Sequence, residues 1–442
     1  MKKFLISSAI LGYCLATYPN GGNSQIISID ELFELAETNS KVLKLSDLVS
    51  QEKKEEINVA KNALLPTLDI SLSAGYLSDI RISDRNLGNG FTVQMKNFGD
   101  YANFTNKFVA EASQIIYAGG AIKSSIKNAE LNYQASQFEK EQTRQNVRFM
   151  LLSYYLELYR LSNQELVYLH NIEQTQKLVA DIRNKHKEGI ALKNDITRHE
   201  LQLQSLLLKL THTKNCKSVT NNKLCTLLNL DKSTIIEIDK NILNELPVYA
   251  EEETWQAAAL DSSPKIKTFE TYTQQALNAE KIVNAERLPK IFIFASDVFE
   301  GPITIDMDVK DNNMNIWTVG IGLKYNLASL YTTNESVRQS KIAYQAAVEA
   351  ENMIKDDIQT EINSAFVMLN EAFTILKTRE TSLELATQNY EVINNRYLND
   401  LALITDMLDA SNSKLESELQ MADAKINILF SFFNLKRCSG QL

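Results

Sequence analysis

Proline and glycine are scarce in this chain, at 6 and 14 of 442 residues, which leaves little to interrupt long helices. Clustered positive charge is also missing. The formal net charge is -9 and no basic patch stands out, which argues against a nucleic-acid partner, because phosphate neutralisation needs grouped Lys and Arg. No run reaches the 18 apolar residues of a membrane helix. Only four cysteines occur, and removal of an N-terminal leader leaves Cys216, Cys225 and Cys438. An odd number excludes a fully paired framework, and the spacings match no zinc or redox motif; a Cys216–Cys225 bridge and two buried thiols both remain open. The four histidines, His170, His186, His199 and His212, lie in helix-like sequence without a second ligand at metal spacing, and His199-Glu200 lacks a His three residues on. The segment 306–310 begins like a calcium loop but has Lys310 where an oxygen ligand is needed. The sequence therefore offers no metal, cofactor or catalytic constellation.

What is present begins with an address. Lys2 and Lys3 precede an apolar run over 4–16, too short to span a bilayer but suited to a secretory leader, with cleavage after Ala16 or several residues on. We set 1–24 aside as this signal peptide. Bulky Tyr13 argues against reading 11–14 as a lipidation site.

The remainder repeats itself. Ile116, Gly120, Ile126, Gly189, Ala191 and Asp195 meet Leu327, Tyr331, Val337, Asp400, Ala402 and Asp406 at one offset of 211, without a gap. A period of half the protein implies a duplicated unit rather than a short-repeat solenoid. The expected organisation is a first repeat over 25–228, a mixed connecting segment over 229–253, and a second repeat over 254–442.

Each repeat opens with strand-like sequence. Over 67–76 every even position is apolar and the odd positions up to 73 are polar, giving a strand with one wet and one greasy face. Trp317, Val319, Ile321, Leu323, Tyr325 and Leu327 alternate in the same way. At about 3.3 Å per residue, Trp317 and Tyr325 would stand roughly 26 Å apart, near the height of the apolar band between aromatic girdles of an outer-membrane barrel. Tyr76, Trp317 and Tyr325 are the expected girdle residues. Strands near 104–117 and 290–299 complete two pairs, the last irregular because Phe292 and Phe294 fall on its wet face. Half-buried hairpins of a soluble domain alternate identically. The export signal and aromatic ends favour the barrel, and since four strands cannot close one, strands must be shared in an oligomer.

Each strand pair is followed by 68 residues free of Gly and Pro, over 121–188 and 332–399. A stretch of that size would reach roughly 100 Å if wholly helical, at about 1.5 Å per residue. Turns near 189–194 and 400–405 lead into second helical runs, so each repeat contains a long helical hairpin. In the last run Leu408, Asn412, Leu415, Leu419, Ala422, Ile426, Leu429 and Phe433 recur at steps of four and three, the spacing of helices packed along their length. The fold class read from this pattern is mainly α with a membrane β portion.

Several segments together resemble the TolC family of outer-membrane efflux channels. They are Leu65-Pro66-Thr67-Leu68 with its copy Leu288-Pro289-Lys290-Ile291, Tyr117-Ala118-Gly119-Gly120, the turns Lys187-Glu188-Gly189-Ile190 and Tyr397-Leu398-Asn399-Asp400-Leu401, and Thr405-Asp406-Met407-Leu408-Asp409-Ala410. The resemblance implies a homotrimer in the outer membrane of a Gram-negative bacterium. Its shared twelve-stranded β-barrel would sit in outer-membrane lipid above a periplasmic α-barrel. Such a trimer passively conducts drugs, small molecules or proteins delivered by an inner-membrane pump and a periplasmic adaptor (membrane fusion) protein. It further implies that Asp406 and Asp409 form the pore constriction, where three chains would assemble six carboxylates selective for cations. Asp195 and Tyr397 match closed-state links, while Ala402 stands where the family has a linking arginine, which Lys193 is placed to replace. Gly189, Ile190, Ala191, Leu192 and Lys193, with Asp400, Leu401 and Ala402, are the expected adaptor-docking turns, inequivalent because Asp400 replaces Gly189. The residues alone also allow Asp406 and Asp409 to serve simply as acidic groups at a helix N-terminus. The alternative function is a periplasmic coiled-coil adaptor or structural tether without a pore.

Overall fold

The computed structural model describes residues 24–78, 103–239, 246–303, 311–399 and 401–442. The expected leader up to residue 23, the excursion near 81–101, the 306–310 segment and Asp400 lie outside the described residues. In chain order the elements are β1 (Ser24–Ile27), α1 (Ile29–Asn39), α2 (Lys41–Lys61), β2 (Thr67–Tyr76), β3 (Phe104–Ala118), α3 (Ala121–Lys187), α4 (Lys193–Leu227), β4 (Ile235–Ile238), α5 (Glu252–Ser262), α6 (Pro264–Ala285), β5 (Lys290–Gly301), β6 (Met314–Lys324), α7 (Ser329–Leu398) and α8 (Ile404–Cys438). The Gly- and Pro-free stretches are single helices, α3 of 67 and α7 of 70 residues. Among the described residues no helix is long and apolar enough to cross a membrane. The chain divides into two compact units.

One unit, built from 1–44, 144–255 and 362–442, carries the hairpin tips. Its α1 starts with a reciprocal cap: Ser28 Oγ accepts from the Glu31 N–H at 3.3 Å and the Glu31 carboxylate accepts from the Ser28 N–H at 2.9 Å. Leu151, Tyr155, Leu224, Leu228, Ile27 and Ile236 close a core that the alternating pattern of the long helices does not announce. At its centre β1 pairs in parallel with β4, so the mixed segment after α4 is tied back to the start of the described chain. Asn221 fixes β4 from α4, donating to the Thr234 carbonyl at 2.8 Å and accepting from the Ile236 N–H at 2.9 Å. Tyr155 fixes both strands: its hydroxyl donates to the Ile27 carbonyl at 2.6 Å and accepts from the Asp239 N–H at 3.1 Å. Burial is the main reason that this hydroxyl's pKa is pushed up to about 12. Tyr155→Phe removes a partner from two backbone groups and should cost about 1–2 kcal/mol, seen as a lower urea midpoint with an unchanged slope. No disulfide joins Cys216 and Cys225, which lie on one helix; the Cys225 thiol donates to the Thr234 carbonyl at 3.4 Å.

The other unit, 45–143 and 256–361, carries the sheet. Its strands run β2-β3-β5-β6, antiparallel throughout, so the hairpins of the two repeats meet at the β3–β5 pair. Register sorts the side chains by face. The row Leu68, Ala112, Ala295, Val319 and the row Leu72, Phe108, Phe299, Asn315 lie on one face. The opposite face carries the rows Asp69, Glu111, Ser296, Thr318 and Ser73, Lys107, Glu300, Met314. On the latter Lys107 pairs with Glu300 at 2.8 Å.

The irregularity expected in β5 has a local cause. Phe292 lies opposite Gly322 and Phe294 opposite Gly320. A Cβ at Gly320 would fall 2.9 Å from Cζ of Phe294, and one at Gly322 would meet Phe292 more closely still. The two rings therefore cover bare glycine backbone on the polar face, an aromatic–glycine pairing across strands. β6 ends at Lys324, short of the expected 327, because Asn326 turns the chain into α7: its carbonyl accepts from the Ser329 hydroxyl at 2.6 Å. Tyr325 thus follows the strand.

Candidate functional site: the hairpin tips

The two turns that end the hairpins are built alike. Gly189 takes φ +77, and the Gly189 and Ile190 N–H groups donate to the His186 and Lys185 carbonyls at 3.0 and 2.9 Å. These paired bonds close the C-terminus of α3, with glycine at the left-handed position. In the second turn the Asn399 and Leu401 N–H groups both donate to the Arg396 carbonyl, at 3.2 and 2.8 Å. Lys185 and Arg396, like Ile190 and Leu401, are 211 apart, so the expected inequivalence does not reach this hydrogen bond.

The helices that leave the turns are capped by aspartate three residues in. Leu192 and Leu403 precede α4 and α8 and offer no side-chain acceptor. Instead Asp195 accepts from the Leu192 N–H at 3.1 Å and Asp406 accepts from the Leu403 N–H at 3.3 Å. A carboxylate there satisfies an orphan donor and meets the positive end of the helix dipole. Asp406 therefore has a capping role in the chain itself, and Asp409, one turn on, is exposed beside it. Both turns also present a bare apolar pair, Ile190 and Leu192 at 59% and 70% exposure, and Leu401 and Leu403 at 68% and 69%. Lys193 is exposed and Ala402 partly so.

Within the chain the two hairpins also touch directly. The lysine that crosses is Lys185, whose Nζ donates to the Leu398 carbonyl at 3.1 Å and so sits at the C-terminal, negative end of α7. Tyr397 packs its ring against His199, centroids 6.2 Å apart and planes inclined by 60°. The sequence marked Asp195 and Tyr397, but not Lys185, and found only that His199 lacks a second ligand at metal spacing. A basic residue in the last turn of α3 was the only available hint of the first.

Further from the tip the packed face of α8 carries polar contacts. Lys414 lies 4.6 Å from the Tyr390 ring centroid and 3.8 Å from Glu418, which also accepts from Asn171 at 3.0 Å. Desolvation, then the charge of Glu418, pushes the Tyr390 hydroxyl pKa up. Arg160 reaches Asp423 at 3.2 Å and donates to Asn427 at 2.8 Å. Burial pushes the Asp423 carboxyl up despite that guanidinium. No grouping of three or more His, Cys, Asp or Glu able to hold a metal occurs among the described residues.

Residues 32–229 match the family described as outer membrane efflux protein. The outer membrane protein TolC of Salmonella enteritidis is 20% identical over 464 residues, spanning 100% of this chain and 87% of that protein. Among solved structures, the VceC outer membrane protein of Vibrio cholerae matches with a TM-score of 0.75 at 15% identity, covering 93% of this chain and 96% of that one. The CmeC outer membrane channel of Campylobacter jejuni matches with a TM-score of 0.73 at 16% identity, covering 100% and 94%. The likeness to these structures establishes the fold, mostly helical with a strand portion. The duplicated hairpins, the sheet with its greasy face and these matches converge: residues 32–229 match the outer membrane efflux protein family, and over its whole length the chain is similar to TolC, an outer membrane protein.

Proposed function

We propose that three copies of this chain form a channel through which an inner-membrane pump, coupled by a periplasmic adaptor, exports its cargo. The observation that carries this reading is the four-stranded sheet: β2 and β6 each have one neighbour, and the apolar face is bare. Leu68, Ile70, Leu72, Trp317 and Ile321 are 74–78% exposed. In hydrocarbon an unpaired strand edge leaves N–H and C=O groups without partners, so only closure through further copies satisfies them. The bare apolar row would then face lipid, with Tyr76 and Trp317 as girdle residues, and the polar row with the Lys107–Glu300 pair would line the lumen. A heat-modifiable trimer recovered from outer membranes is the expected result; a soluble periplasmic monomer would refute the reading.

At the tips, Asp406 and Asp409 from three chains would bring six carboxylates to the constriction, favouring cations and offering multivalent ions a site to block. Their exposure on the first two turns of α8 supports this. Asp409 does not cap the helix, so Asp409→Ala tests the gate without disturbing the turn. Single-channel recording should show reduced cation preference and weaker block by multivalent cations; unchanged selectivity and block would remove Asp409 from the gate. The apolar pairs Ile190–Leu192 and Leu401–Leu403 support docking of an adaptor at these turns. The closed state would be held by Lys185 on the Leu398 carbonyl and by the His199–Tyr397 contact, in place of an arginine at position 402.

A further inference from the structure

Resting on the channel reading above, we propose that His199 is a proton-operated latch of the periplasmic tip: its uncharged ring holds α4 against α7, and protonation releases that seam toward the open channel.

The ring's surroundings single it out. His199 is 1% exposed, and neither Nδ1 nor Nε2 has a hydrogen-bond partner. An imidazole buried in this way bears the desolvation cost of two polar atoms and gains nothing that a phenyl ring of similar shape would not supply. The other three histidines, His170, His186 and His212, are exposed. Its position matters as much. The ring packs on Tyr397, in the last turn of α7 and next to Leu398, the residue whose carbonyl Lys185 reaches from α3. One seam, within a turn of the second hairpin's tip, thus carries both the lysine contact and this uncharged ring.

The charged groups around the seam come from several helices, and Lys185 of α3, on the Leu398 carbonyl, is among them. On its own helix Asp195, one turn earlier, is the group whose charge acts on the ring. Glu200, its neighbour, is paired with Arg183 of α3 at 2.5 Å. From α7 comes the Tyr397 ring, and α8 presents Asp406 on its first turn and Asp409 one turn on, both exposed. Burial lowers the His199 pKa, and the Asp195 carboxylate opposes that without cancelling it. The sign follows from linkage. In the packed seam the ring stays neutral through physiological pH. In an opened, hydrated seam it would titrate near the ordinary value of about 6.5. Packing by the neutral ring is therefore fully present above about pH 6.5 and is lost as pH falls from there toward the depressed value. Each ring can shift the open-to-closed ratio by at most about tenfold per pH unit.

The test uses the purified trimer in planar bilayers between pH 7.5 and 5.5. Wild-type open probability should rise about tenfold or more as pH falls. His199→Phe, which keeps an aromatic ring but cannot be protonated, should stay near the pH 7.5 level, and His186→Gln should respond like wild type. Exchange of the imidazole C2 proton, followed by mass spectrometry, provides a readout independent of conduction. His199 should titrate below the ordinary value of about 6.5, and deuterium uptake over 396–403 should rise as it does so. A wild-type pH response retained in His199→Phe, or a His199 C2 midpoint at or above about 6.5, would overturn the proposal. Complete absence of current from an assembled wild-type trimer would instead count against the channel reading. The latch would then be judged by whether uptake over 396–403 follows His199 protonation: coincidence supports it and independence overturns it.

Discussion

Ile70→Arg should keep the protein out of the outer membrane, while Ser71→Arg, the adjacent change on the same strand, should assemble and conduct. Ile70 lies on the apolar face, in register with Ala110 of β3, and is 74% exposed in the single chain. Ser71 points to the opposite face, opposite Val109, in a strand whose neighbouring odd positions are Asp69 and Ser73. A strand slipped by one residue would exchange the two outcomes, so the pair tests register as well as environment. Arginine on the lipid face of a barrel costs about 2–4 kcal/mol at the bilayer midplane, and a closed trimer would meet that cost three times. Lumen positions tolerate charge, and the expected effect of Ser71→Arg is a shift in ion selectivity. Heat-modifiability and outer-membrane yield are the readouts. Equal tolerance of both arginines would mean that the sheet has no lipid-facing side.

Gly119→Ala should be nearly as severe, and Gly120→Ala distinctly milder. Both glycines have positive φ, +64 and +88, in the turn from β3 into α3. An alanine there carries a conformational cost of roughly 1–2 kcal/mol. At Gly120 that is the whole cost, because an added Cβ would meet nothing within 4 Å. At Gly119 the Cβ would fall 2.7 Å from the Ala285 carbonyl oxygen and 2.9 Å from Cβ of Leu288. Neither is the end of a flexible side chain, so backbone must move, adding about 1–3 kcal/mol. The comparison should appear as a much lower trimer yield and thermal stability for Gly119→Ala. Matched losses would mean that backbone conformation alone, and not the approach of the second repeat, demands glycine at 119.

How much of this could be read beforehand follows from the range of each interaction. Period-2 alternation placed β2, because every residue of a strand reports its face. The paucity of Gly and Pro announced α3 and α7, and the 211-residue offset announced the duplication. The Phe292–Gly322 and Phe294–Gly320 pairs were illegible, since each residue breaks the pattern until its partner across the strand is known. The β1–β4 pair was illegible for the same reason: four residues near 24 acquire their meaning from four near 235. At the tips, Asp195 and Asp406 could be picked out by position, but which donor each would accept from depended on the turn's conformation. Lys185 and His199 depend on a helix that follows about two hundred residues later, and no local spacing encodes that.

The core that joins Leu152 and Leu156 to Ile426 and Leu429 also sets an order of events. A chain emerging from its N-terminus delivers the first two residues long before the last two exist to cover them. The unit that carries the tips is thus completed by its latest segment, whereas the β2–β3 hairpin needs only contiguous chain. Contacts of such separation are slow to form because a long loop must close first. A chain that still lacks α8 therefore shows greasy surface at two places at once, and that interval of exposure ends only when α8 arrives.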